Sequence, residues 1–127
     1  MSVDDRLQVI TRHEPGRVVL ELHGELDIAG APVLASEIGR AESKAPELVV
    51  LDLEDLHFID SAGLRVMLAA HQRAAERGAG FALTPGTPQV QRLLSVAGVG
   101  EHLQTVDPAD GSPVDGADGA NGSLPTS

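Results

Sequence analysis

Apolar and polar positions in this chain fall into blocks of two periods. Val18, Leu20 and Leu22 alternate with Val19, Glu21 and His23, the period of a strand covered mainly on one face. Leu7 to Arg12 forms a similar block, and Glu14-Pro15-Gly16 between the two reads as a turn, so a hairpin opens the domain. The period then lengthens to that of a helix. Pro32 stands near the first helical position, where its missing N–H costs nothing, and Val33, Leu34, Ile38 and Ala41 follow as the apolar positions. Pro46 ends that region. The run Leu48-Val49-Val50-Leu51-Asp52-Leu53 has the pattern of a buried parallel strand. Leu64, Met67, Leu68, His71 and Ala75 restore helical spacing up to about Arg77, and Gly78 stops it. Gly80 to Thr84 gives a short strand. Thr87-Pro88 offers an N-cap followed by proline for a third helix, with Val90, Leu93, Leu94 and Ala97 inward and Gly98 closing it. Leu103 to Val106 reads as the last strand.

The predicted order is therefore β-β-α-β-α-β-α-β. Three strand–helix–strand units imply right-handed crossovers and an α/β domain. Its sheet should be mixed but mostly parallel, with about five strands and the first hairpin strand antiparallel to its neighbour. In such a sheet the strand C-termini and helix N-termini converge on one end, where sites usually form. Gly24 to Ile28 and Asp60 to Arg65 each follow a strand, so both are expected at that end.

Composition narrows the function. Residues 1–106 make one domain, while 107–127 carry Val114 and Leu124 as their only larger apolar residues and no basic residue. A disordered acidic tail rich in Gly, Pro and Ser is the expectation there. The net charge of −10 and the two aromatics, Phe58 and Phe81, argue against nucleic acid, which asks for clustered cations and stacking rings. The absence of cysteine removes disulfides, thiolate metal sites and cysteine nucleophiles. His13, His23, His57, His71 and His102 lack ligand spacing, and no phosphate-binding glycine loop is present, so neither metal nor cofactor is expected. No apolar run reaches the ~20 residues of a membrane helix, and the start of the chain lacks signal-peptide character. A cytoplasmic protein with a protein partner is the reading.

Ser61 is the candidate for chemistry. It falls between the central strand and a helix, where an N-cap belongs. Backbone N–H groups and the helix dipole favour an anionic group at that position, so the hydroxyl is a plausible phosphate acceptor. Asp60 beside it would position the serine or contact a kinase. Gly24 and Gly63 read as backbone devices and Leu64 as core. His57, Asp60 and Ser61 do not make a hydrolase: near neighbours in one loop establish no triad, and Asp60-Ser61-Ala62-Gly63 is not a nucleophile elbow.

Gly24-Glu25-Leu26-Asp27 after one strand and Asp60-Ser61-Ala62-Gly63-Leu64 after another resemble the STAS domain of anti-sigma factor antagonists, over about residues 5–106. The resemblance implies a STAS fold, no enzymatic activity and a partner-switching role in transcription. Ser61 would be the phosphate acceptor, and Asp27, Asp60, Ser61, Ala62, Gly63, Leu64 and Arg65 the partner-binding surface. The implied partners are an anti-sigma factor that is itself a serine kinase and a phosphoserine phosphatase. Many family members carry a second hydroxyl where this chain has Ala62, which leaves Ser61 as the motif's single hydroxyl. The competing reading is a STAS scaffold or small-ligand sensor subunit of a stress-signalling assembly.

Overall fold

Valine, leucine and isoleucine in alternation build the sheet, and the longer-period blocks fold back over it. The computed structural model describes residues 6–98 and 103–107. The elements are β1 (Gln8–Glu14), β2 (Arg17–Leu26), α1 (Ala31–Glu42), β3 (Leu48–Ile59), α2 (Ser61–Glu76), β4 (Gly80–Leu83), α3 (Pro88–Val96) and β5 (Gln104–Thr105). The sheet runs in chain order, β1-β2-β3-β4-β5. β1 and β2 pair antiparallel, and every later neighbour pairs parallel. The order of elements and the mixed sheet agree with the sequence expectation.

Each crossover steps to the next strand in the same direction. With one handedness throughout, that puts all three helices on one face. Leu34 and Ile38 of α1, Met67 and Ala70 of α2, and Val90 and Leu94 of α3 join Leu20, Leu22, Val49, Leu51, Phe81 and Leu83 in a single core. The opposite face carries a separate, smaller set: Val19, Val50, Ala82 and Val106, with Leu48 against it.

Two strands are longer than the periodicity predicts. β2 continues past His23 to Leu26 and β3 past Leu53 to Ile59. The register shifts between Glu21 and His23 and again between Gly24 and Glu25, and these irregularities break the alternation a template relies on. Gly24 sits at φ +100°, a backbone role as expected. Beyond Leu51, β3 pairs with β2 alone, so His57 and Phe58 face solvent. Where pairing with β4 stops, buried Thr84 accepts the Leu53 N–H at 2.8 Å.

Helix faces also differ from the expectation. α2 buries Gly63, Met67, Ala70 and Ala74, while Leu68 is 37% exposed and Ala75 lies outside. Leu64 is half-buried against the edge of the core rather than within it. Small side chains line the contact, which lets α2 sit close to the sheet; a count weighted to leucine points about one position away. Val33 and Ala97, both predicted inward, are exposed. β5 is regular over Gln104–Thr105 only, although Leu103 and Val106 on either side are buried. The predicted tail, apart from Asp107, lies outside the described residues.

Candidate functional site

The site begins where β2 and β3 end side by side. Leu26 pairs with Ile59, and the Asp60 N–H donates to the Leu26 carbonyl at 3.1 Å. Asp60 has extended backbone, φ −118° and ψ −174°, and α2 starts at the next residue. Its Oδ1 accepts from the N–H of Ala62 at 2.9 Å and of Gly63 at 3.3 Å. Its carbonyl accepts the Leu64 N–H at 3.0 Å.

This corrects the sequence reading of Ser61 as the N-cap. Asp60 is the cap and Ser61 the first helical residue. Physically, a carboxylate one residue earlier takes the N–H groups of Ala62 and Gly63 in charge-assisted bonds, the groups that a serine cap would otherwise have served. Ser61 is exposed, and no described residue hydrogen-bonds its hydroxyl. The hydroxyl is thus presented to solvent rather than spent on the helix.

Gly63 explains how α2 can begin so close to the strand ends. A Cβ there would stand 2.5 Å from Leu26 Cγ, 2.6 Å from its Cδ2 and 3.2 Å from Ile59 Cγ1. No real Cβ tolerates such separations, so the two motifs noticed in the sequence are pressed together through a glycine.

The turn ahead of α1 repeats the hydrogen-bond pattern, but there the aspartate lies three residues before the helix N-cap, Gly30. Asp27 Oδ1 accepts from the N–H of Ala29 at 3.1 Å and of Gly30 at 2.9 Å. Its carbonyl accepts from Gly30 and Ala31 at 3.0 and 2.9 Å. A Cβ on Gly30 would meet Leu7 Cβ at 3.0 Å and the Glu25 carbonyl oxygen at 3.3 Å. Asp27-Ile28-Ala29-Gly30 and Asp60-Ser61-Ala62-Gly63 are the same four-residue pattern with one difference, isoleucine against serine. Sequence reasoning missed this echo, although the letters were there to find it.

Of the remaining predicted residues, Arg65 is exposed one turn beyond Ser61, and Ala62 is half-buried. The sequence also missed three exposed apolar side chains: Ile28 (76%), Phe58 (37%) and Leu68 (37%). Ile28 follows the end of β2, Phe58 pairs with Glu25 near the end of β3, and Leu68 lies on the same side of α2 as Ser61 by helical spacing. Among the described residues no three His, Asp or Glu side chains gather to hold a metal ion, and no helix is long and apolar enough to cross a membrane. At the opposite end of the sheet, a hydrogen bond from Arg17 (Nε to Oε1, 2.7 Å) is the main cause holding the Glu14 carboxyl below its ordinary 4.5.

Known proteins are similar to this chain. An anti-sigma F factor antagonist of Paenibacillus polymyxa is 32% identical over 102 residues, covering 80% of this chain and 87% of that protein. The crystal structure of an anti-sigma factor antagonist from Mycobacterium paratuberculosis superposes with a TM-score of 0.71 at 25% identity, covering 87% of this chain and 92% of that one. The Bacillus cell fate determinant SpoIIAA in its phosphorylated form shares the fold, with a TM-score of 0.61 at 21% identity over 80% of this chain and 92% of its own. The STAS domain family matches residues 8–109, and with two strand ends, an aspartate-capped helix and an exposed serine in that frame, the chain belongs to the STAS domain family.

Proposed function

We propose that this chain is an anti-sigma factor antagonist that works by partner switching at Ser61. The unphosphorylated form binds an anti-sigma factor carrying serine kinase activity and so frees a sigma factor. Phosphorylation of Ser61 releases the kinase, and a phosphatase restores the binding form. The observation that carries this reading is the exposed Ser61 hydroxyl at the first residue of α2, with capping assigned to Asp60. The names of its relatives support the partner class.

The geometry suggests why the switch acts on the partner. Phosphorylation adds about −1.5 to −2 charge and three acceptor oxygens. The N–H groups of Ala62 and Gly63 already go to Asp60, so they are not available to absorb that charge. The phosphate therefore stands outward beside the Asp60 carboxylate. Arg65 is the nearest cation along the helix, and an exposed pair with it contributes little. A partner seated over Ser61, Ile28 and Leu68 would meet an uncompensated dianion in a desolvated contact. Such a loss is a few kcal/mol, or about 10²-fold in affinity.

The test is a pull-down from source-cell lysate with wild type, Ser61→Ala and Ser61→Asp, followed by ATP. Wild type and Ser61→Ala should retain an ATP-binding anti-sigma factor that Ser61→Asp loses, and only wild type should take up phosphate. Normal phosphate uptake by Ser61→Ala would sink the proposal. Recovery of the same large assembly by all three would favour the scaffold reading.

A further inference from the structure

The two edges of the sheet are finished differently. β5 closes one with a regular stretch of two residues, too short to template another strand. β1 closes the other with seven, Gln8 to Glu14, each opposite a residue of β2 with no break in register. No described strand lies on its outer side. Edges of this length are ordinarily blunted by a bulge, a proline or a lysine, and β1 has none of the three. Its charges are satisfied within the subunit: Arg12 pairs with Glu14 and with Glu21 of β2, and Glu14 also receives Arg17. Ile10, opposite Glu21, is left 51% exposed, and Thr11 and His13 are exposed as well.

The residues of β1 select which strand can complete that edge. When two β1 strands pair antiparallel about a two-fold axis at Thr11, every position finds a partner. Gln8 meets Glu14, Val9 meets His13, Ile10 meets Arg12, and Thr11 meets itself. No like charges stand opposite, the aliphatic stem of Arg12 can cover Ile10, and a threonine pair is a favourable cross-strand contact. An axis at Arg12 would set two guanidinium groups face to face. An axis at Ile10 would leave His13 and Glu14 beyond the paired stretch.

We infer that β1 is a self-association surface, through which two copies of this chain join their sheets edge to edge in the register centred on Thr11. The product is one sheet of ten strands, five from each copy. Its axis stands perpendicular to the sheet, so the helices of both copies share one side. The same axis points the two β3 strands in opposite directions. The Ser61 hydroxyls therefore lie at opposite ends of the dimer, each two strands away from its own β1, and both stay open. This pairing is independent of the chemistry at Ser61. An edge of seven residues is smaller than a standard interface, so the dimer forms and dissociates with concentration.

Sedimentation of the full chain should show the weight-average mass rising with concentration toward that of two chains. Ile10→Lys sets a cation opposite Arg12 of the second copy while facing Glu21 within its own sheet. The far-UV spectrum should stay unchanged, and the dissociation constant should rise about tenfold, since one such pair arises on each side of the axis. The chain has no cysteine, so single cysteines test the register. Thr11→Cys places two thiols at a directly opposed pair, within disulfide reach, and should cross-link under mild oxidant. His13→Cys holds them about 14 Å apart and should not. A single-chain mass at up to about 1 mM would overturn the inference and give the edge to a different strand. So would a dimer that Ile10→Lys leaves intact, or cross-linking of His13→Cys as fast as that of Thr11→Cys.

Discussion

Asp27-Ile28-Ala29-Gly30 and Asp60-Ser61-Ala62-Gly63 share one pattern of turn hydrogen bonds, the first ahead of α1 and the second opening α2, and they differ in sequence only at an exposed position. In both, a strand-end aspartate uses one carboxylate oxygen to receive two N–H groups of the following turn. In both, the glycine three residues later is pressed against a neighbouring leucine, Leu7 or Leu26. The second position is exposed in each: Ile28 in one, Ser61 in the other. The turn needs its aspartate and its glycine, and the second position is free to carry chemistry. Asp27 and Asp60 thus have structural duties in their turns, while Ser61 and Arg65 of the set expected from the sequence are exposed.

The largest expected effect breaks the comparison at its glycines. Gly63→Ala places a Cβ 2.5 Å from Leu26 and should cost about 3 kcal/mol, read as a lower urea midpoint. Gly30→Ala, whose nearest contact is 3.0 Å, should cost about 1 kcal/mol. Equal losses would mean that the two turns are not packed differently.

Next comes the exposed position. Ser61→Asp should weaken anti-sigma factor binding by about 10²-fold, roughly 2.7 kcal/mol, measured by calorimetry. Ile28→Ser makes the two turns identical in sequence and should still give a protein that takes a single phosphate, on Ser61. A second phosphate on residue 28, found by mass spectrometry, would show that the kinase reads the turn alone.

The aspartates should behave alike. Asp27→Ala removes the acceptor of two turn N–H groups and Asp60→Ala removes the α2 cap, and each should cost about 1 kcal/mol in unfolding experiments. Asp60→Asn keeps the acceptor and should cost only a few tenths. A large difference between the two alanine variants would contradict the shared construction.

The smallest effect lies far from both turns and serves as a control. Glu14, held below 4.5 by Arg17, contributes stability that is fully present above 4.5 and lost as pH falls through its lower folded value. The pair is partly exposed, so the loss should be under about 1 kcal/mol, and Glu14→Gln should remove it from the acid limb of stability against pH.

Much of this was legible in the sequence because it rests on local pattern. The apolar run 48–53, the Thr87-Pro88 helix start and the Pro15-Gly16 turn each name their own element. Ser61 stood out for the same reason. Capping did not, because deciding between Asp60 and Ser61 requires knowing the first helical residue, and boundaries move by one or two positions without changing the pattern. The buried face of α2 was misjudged by about one position, since Gly63, Ala70 and Ala74 give little hydropathic signal and are inward because they are small.

By itself, the sequence determined the order of elements, the mixed sheet and the serine at the end of the central strand, since period, turn residues and crossover handedness act over short stretches. Tertiary structure decided that Asp60 rather than Ser61 caps α2, which helix face is inward, and that Leu26 and Gly63 must touch. Those outcomes depend on how closely two backbones approach, and that distance is set by side chains far apart in the chain.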